Sequence, residues 1–179
     1  MKNYDILFCD LDGTLIDKIS ENLGEGIWNM KFNFDVFKAI KFLNPKYIFI
    51  ITNQSAIGKT YSEEEFEKKI NYVEASLSGF IQYCNPSQHI IQSIYCPSVD
   101  NDDPFRKPNT GMLEYMVNNY VKDGYEKTDM LMIGDASGIN GTSNIDFLCA
   151  QNFGIHYCDV NEFIKIMRKK YLFNDYERQ

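Results

Sequence analysis

The chain has 179 residues, with 18 Lys and Arg against 25 Asp and Glu, and a formal net charge of −7. Hydrophobic residues make up 44%, including 13 Phe and 12 Tyr, so the chain can fill one core and is not a disordered segment. The acidic balance argues against a general nucleic-acid coat protein, though not against an enzyme that grips one end of a nucleic acid.

Tyr4-Asp5-Ile6-Leu7-Phe8-Cys9 reads as a first strand, bounded by the polar turn Asp10-Leu11-Asp12-Gly13. Phe34, Phe37, Ile40 and Leu43 recur at helical spacing, and Pro45 closes that helix. Tyr47–Ile51 is a continuous apolar run, as in a strand buried on both faces of a parallel sheet. Ser62 with Glu65 forms a capping box ahead of the stripe Phe66, Ile70, Val73 and Leu77, and Gly79 stands where a C-cap glycine belongs. A third strand fits Ile90–Tyr95, a helix Met112–Val121 and a fourth strand Met130–Ile133. A helix through Ile145, Leu148 and Cys149, a strand Ile155–Tyr157 and a helix through Phe163, Ile164 and Met167 complete the chain. Strands alternating with helices predict an α/β fold: a doubly wound, Rossmann-like parallel sheet with helices on both faces, residues 1–179 forming a single domain. The apolar runs are strand-sized, too short to cross a bilayer, and no signal peptide fits before the first strand. Five scattered cysteines without a C-x-x-C pair argue against a disulfide framework and a complete cysteine zinc site, and point to a reducing cytoplasm.

In such sheets ligands bind beyond the carboxyl ends of the strands. Strand one ends in Asp10 and Asp12, strand two in Thr52, Asn53 and Gln54, and strand four in Gly134 and Asp135, while Arg106, Lys107 and Pro108 follow strand three. All four clusters fall on one edge. A lone D-x-D is often a solvated turn; four polar clusters in order are not. Asp10, Asp12 and Asp135 would repel one another without a cation, and hard oxygen donors in that number suit Mg²⁺. A carboxylate nucleophile, a second carboxyl for proton transfer, a cation and Lys107 make a phosphoryl-transfer site.

Asp10-Leu11-Asp12-Gly13-Thr14, Thr52-Asn53-Gln54, Arg106-Lys107-Pro108 and Gly134-Asp135 resemble the four motifs of the haloacid dehalogenase superfamily of phosphatases, over nearly the whole chain. That resemblance implies that Asp10 attacks phosphorus and that Asp12 is the acid and then the base. Thr52 would bind the phosphoryl group, and Lys107 would neutralise the developing charge. Gly13 and Thr14 would shape the turn, and Asn53, Gln54 and Arg106 would belong to the substrate-binding set. Asp10, Asp12 through its backbone carbonyl, and Asp135 would hold Mg²⁺.

Two branches share this motif set. One is the histidinol-phosphate and heptose-bisphosphate phosphatases; the other is the 3′-phosphatase domain of polynucleotide kinase–phosphatases. The first usually carries a zinc loop before R-K-P. Here Cys96–Phe105 holds one cysteine and no histidine, so that loop cannot hold zinc. In the stretch from Gly134 to Ile155, Asp135, Gly138, Ser143, Asp146, Asn152 and Gly154 fall in register with the second branch, which gives Asp146 a supporting role. The resemblance thus favours a polynucleotide 3′-phosphatase acting on a DNA or RNA 3′ end, as in DNA repair. A small-molecule phosphomonoesterase for histidinol phosphate, a sugar phosphate or a nucleotide stays open beside it.

Ile57-Gly58-Lys59-Thr60 resembles the end of a Walker A loop, but Asn53 stands where glycine is needed, so a turn and no ATP site are expected. His89 and His156 read as core or surface residues, and Trp28 as a loop anchor rather than a base-stacking platform. A receiver-type signalling domain would carry its acceptor aspartate on the third strand, and an inactive binding module would have lost Asp10, Asp12 or Lys107. Neither interval between motifs holds the ~50 or more residues of a cap domain, so the site should be open, ringed by the loops around Trp28, Asp100 and Gly141. A monomer with no membrane contact is expected.

Overall fold

The computed structural model describes residues 2–17, 27–82, 89–139 and 143–176. Gly141, expected on the rim of the site, and Cys84 lie outside the described residues. In chain order the elements are β1 (Ile6–Cys9), the short strands β2 (Ile16–Asp17) and β3 (Lys31–Phe32), α1 (Phe34–Leu43), β4 (Tyr47–Asn53), α2 (Glu63–Gln82) and β5 (Ile90–Cys96). Then follow α3 (Gly111–Tyr120), β6 (Met130–Gly134), α4 (Ile145–Phe153), β7 (His156–Asp159) and α5 (Val160–Tyr176).

The main sheet runs β5-β4-β1-β6-β7, every pairing parallel. β1 is central: Ile6 lies opposite Tyr47 on one side and Met130 on the other, and Cys9 opposite Ile50 and Ile133. The chain passes from β1 to one flank and later returns to the other, which makes the carboxyl end of β1 the topological switch point. Side-chain alternation divides the core into two layers. Leu7, Cys9, Ile48, Ile50, Leu131 and Ile133 pack with residues of α1, α2 and α5. Ile6, Phe8, Phe49, Ile51, Met130 and Met132 pack with residues of α3 and α4. Burial on both faces is why these strands read as unbroken apolar runs.

Local signals position the helices. Asn33 caps α1, its side chain accepting from Val36 N, and Asn44 ends it in the left-handed region at φ 57°. Ahead of α2, Ser62 N donates to Glu65 Oε2 (2.7 Å) while Glu65 N donates to Ser62 Oγ (3.2 Å), the two halves of the expected capping box. The expected end at Gly79 is wrong: α2 runs through it to Gln82. Ile81 is buried and Phe80 packs on the core, and that burial outweighs the ~1 kcal/mol that a mid-helix glycine costs. β4 also outruns its apolar stretch. Thr52 and Asn53 still pair with Tyr95 and Cys96 of β5, so both are strand residues rather than loop residues. The antiparallel β2–β3 ribbon, in which Ile16 faces Phe32, has no periodic signal in a segment this short. Among the described residues no large cap is present, and no helix is long and apolar enough to cross a membrane.

Candidate active site

At the switch point Asp10 follows β1, its N–H donating to Ile133 O of β6 (3.0 Å). Its carboxylate is 2.6 Å from Nζ of Lys107, which also donates to Asp146 Oδ1 at 2.7 Å and to Ile51 O at 3.1 Å. Lys107 is 2% exposed, Asp146 1% and Asp10 7%, so one ammonium serves two buried carboxylates. Asn53 locks the lysine backbone: its Nδ2 donates to Lys107 O (2.9 Å) and its Oδ1 accepts from Lys107 N (3.0 Å). Arg106 turns away from this centre and donates to Ser98 O at 2.6 Å, tying the loop after β5 together. Asp146, on the first turn of α4, accepts from Ala136 N through Oδ2 (3.2 Å). Asp146 therefore joins α4, the segment after β6 and Lys107.

Asp12 lies on the exposed side of the same turn. Gly13 beyond it has φ +82°, and a Cβ there would overlap the Asp135 carboxylate, so only glycine lets the turn close against Asp135. Thr14 is buried under the turn, its hydroxyl without a hydrogen-bond partner. Thr52 is buried, and Gln54 Nε2 donates to Thr52 Oγ1 (3.0 Å) and to Asp12 Oδ2 (2.7 Å). Asp10, Asp12, Thr52, Asn53, Gln54, Lys107, Asp135 and Asp146 are thus gathered at one end of the sheet, with Arg106 at its margin.

Burial pushes the Asp10 pKa up to about 7; Lys107 opposes the rise, while Asp146 and Asp12 add to it. For Lys107, burial works against the charge, but Asp10 and Asp146 outweigh it and hold the pKa above the ordinary lysine value. Asp135 is raised too, by desolvation and then by Asp146. Carboxylate oxygens of Asp10, Asp135 and Asp146 come within 4.8 Å of one another. Three carboxylates against one ammonium leave an excess of negative charge, and an all-oxygen donor set of this kind fits Mg²⁺. Both Asp146 oxygens already accept hydrogen bonds, so Asp10 and Asp135 keep the donor capacity that a cation needs.

A cleft of about 590 Å³ opens beside Asp12, Gly13 and Asp135, walled by Ile27, Met30 and Tyr61. Two of its residues escaped the sequence reading. Lys69 is 8% exposed, with Nζ 3.6 Å from Asp12 Oδ1, and Tyr61 donates to Gln54 Oε1 at 2.7 Å. Tyr61 immediately precedes the capping box and Lys69 lies inside α2; both are outside every motif, and no local pattern distinguishes them. Trp28 is half exposed and meets Tyr72 edge-on (5.9 Å between centroids). His89 is buried, its Nδ1 2.7 Å from Pro45 O at the other end of the sheet. Gly58 and Thr60 lie in a turn leading to α2, where Gly58 N donates to Tyr61 O.

A parallel sheet with a buried Asp–Lys–Asp cluster at its switch point defines a phosphatase of the haloacid dehalogenase class, a phosphoric monoester hydrolase. The sequence model for polynucleotide kinase 3 phosphatase matches residues 5–164, and the chain belongs to that family. Its fold is shared with two solved structures. A HAD-like phosphatase from Mesorhizobium loti is 21% identical, with a TM-score of 0.56 over 83% of this chain and 69% of that one. D,D-heptose 1,7-bisphosphate phosphatase from B. bronchiseptica, complexed with magnesium and phosphate, is 17% identical, with a TM-score of 0.61 over 94% of this chain and 98% of that one.

Proposed function

We propose that this chain is a Mg²⁺-dependent phosphatase that removes the 3′-phosphate from nucleic-acid ends through an aspartyl-phosphate at Asp10. The observation that carries the reading is the buried Asp10–Lys107–Asp146 cluster, next to a cleft at Asp12 and Asp135 that no large cap covers among the described residues, in a chain matching the polynucleotide kinase 3 phosphatase family. A cleft without a large cap among the described residues would admit a strand end as well as a free metabolite.

Asp10 forms the bond to phosphorus while the bond from phosphorus to the leaving oxygen breaks, and Asp12 gives that oxygen its proton. Water then attacks the phosphorus of the acyl phosphate, its proton passes to Asp12, and Asp10 leaves as a carboxylate. Lys107 holds Asp10 in place and neutralises it, Asn53 holds Lys107, and the Thr52 hydroxyl, which accepts from Gln54, is free to donate to the phosphoryl group. Asp10, Asp135 and the backbone carbonyl of Asp12 would hold Mg²⁺, which supplies positive charge for the phosphoryl oxygens.

The second reading, a small-molecule phosphatase, is favoured by the alignment with the heptose bisphosphate enzyme, which covers 94% of this chain and 98% of that one. A substrate panel separates the two. A 3′-phosphorylated oligonucleotide should exceed the matching 3′-mononucleotide, histidinol phosphate and sugar phosphates in kcat/KM, with an advantage that shrinks as salt rises. If a mononucleotide or sugar phosphate is better by about tenfold or more, the polynucleotide reading fails and the small-molecule one replaces it.

A further inference from the structure

The Gln54 side chain is 4% exposed and all its hydrogen-bonding atoms face neighbours. The Gln54 amide nitrogen donates to Asp12 Oδ2 at 2.7 Å. The same nitrogen donates to Thr52 Oγ1 at 3.0 Å. The amide oxygen then faces Tyr61 Oη at 2.7 Å and can only accept, so the phenol must donate. Turning the amide over would set the Gln54 oxygen against the Asp12 carboxylate. In the orientation in which Gln54 donates to Asp12, the Tyr61 O–H anchors the amide oxygen at the far end of the side chain.

The phenol is fixed in turn. Its ring stacks on buried Phe66 (6.2 Å between centroids, 16° between planes), and its pKa is pushed up to about 12 by burial and then by Asp12, so the proton stays on the ring oxygen. Asp12, by contrast, is an exposed side chain on a turn, with Lys69 3.6 Å from its other oxygen, Oδ1. Without the Gln54 bond, nothing within hydrogen-bond distance among the described residues orients this carboxylate. Oδ2 is committed to Gln54, which leaves Oδ1 for transfer to the leaving oxygen.

We infer that Tyr61 is a positioning residue for the proton-transfer step: it anchors the Gln54 amide by its oxygen, and through it holds the aim of the Asp12 carboxylate. The inference rests on the acid role proposed for Asp12. It makes Gln54 a structural relay within the site rather than a direct contact to substrate.

The test is leaving-group dependence, measured as kcat/KM in saturating Mg²⁺ with an aryl phosphate series from 2,4-dinitrophenyl through 4-nitrophenyl to phenyl phosphate. This parameter reports the first half-reaction, where a well-aimed acid matters most for the poorest leaving group. Tyr61→Phe keeps the ring that stacks on Phe66 and removes only the hydroxyl. It should lower phenyl phosphate turnover roughly tenfold or more while leaving 2,4-dinitrophenyl phosphate within about twofold. Gln54→Ala should show the same slope, and adding Tyr61→Phe to it should change nothing further, because the two act in series. An equal fall across the series, no fall at all, or additive effects of the two substitutions would overturn the inference. Asp12→Asn distinguishes the underlying reading: if that variant shows no leaving-group dependence, the acid role itself fails, whatever Tyr61 does.

Discussion

Asp10 is asked to be both buried and charged, and only its neighbours make that tolerable. Burial raises its pKa to about 7, well above the ordinary aspartate value near 3.9. Proton binding therefore favours the folded state: this stabilising term is fully present below about pH 4 and is lost as pH rises through about 7. Metal-free protein should weaken over that interval, and Mg²⁺ should restore part of the loss. Asp10→Asn removes the buried charge, so without metal its Tm at pH 8 should exceed that of the parent, with the difference closing at low pH. The same variant should lose at least ~10³-fold in activity, since the proposed nucleophile is gone. Thermal melts in chelator at several pH values, beside phosphate-release assays, check both. A metal-free Asp10→Asn protein less stable than the parent at pH 8 would contradict the balance of burial against Lys107.

Two glycines make different demands on their elements. Gly13 combines φ +82° with a position where a Cβ would overlap the Asp135 carboxylate. Gly13→Ala should displace Asp135 and weaken Mg²⁺ binding roughly 10–100-fold, the range seen when groups supporting a metal ligand are disturbed. Titration calorimetry on the folded variant measures this, and unchanged affinity would remove Asp135 from the ligand set. Gly79, inside α2, has nothing within 4 Å of a built Cβ. Gly79→Ala should therefore stabilise the protein by ~0.5–1 kcal/mol in urea unfolding, whereas a glycine needed to end the helix would make the same change destabilising. The capping box and the Phe66–Leu77 stripe were legible in sequence because each is local. The continuation past Gly79 was not, because it depends on where Phe80 and Ile81 find a core to pack on.

Across the whole molecule, one sheet carries two apolar layers. Phe8 lies in the layer under α3 and α4, while Phe163 lies in the layer with α1 and α2, both fully buried. Every central strand contributes to both, so neither layer can come apart while the sheet stays intact. Phe8→Ala and Phe163→Ala should each destabilise by ~3–5 kcal/mol and leave one urea transition, with coincident near- and far-ultraviolet circular dichroism. Separate transitions for the two probes would mean that the layers unfold independently.

The amino-acid sequence by itself determined the parallel α/β architecture and the edge where chemistry collects. Continuous apolar runs and helical stripes report burial directly, and the polar site residues end or follow the strands. Asp10, Thr52, Lys107 and Asp135 stood out because each follows or ends a strand in a recognisable motif. Tertiary structure alone decided which of their atoms meet. Lys107 is 97 residues from Asp10 and 39 from Asp146, and nothing local specifies that one ammonium bridges both. Tyr61 and Lys69 were invisible for the same reason. A tyrosine before a capping box and a lysine on a helix carry no special local pattern, and they face the site only because α2 packs with its buried stripe toward the sheet, bringing both against Asp12 and Gln54.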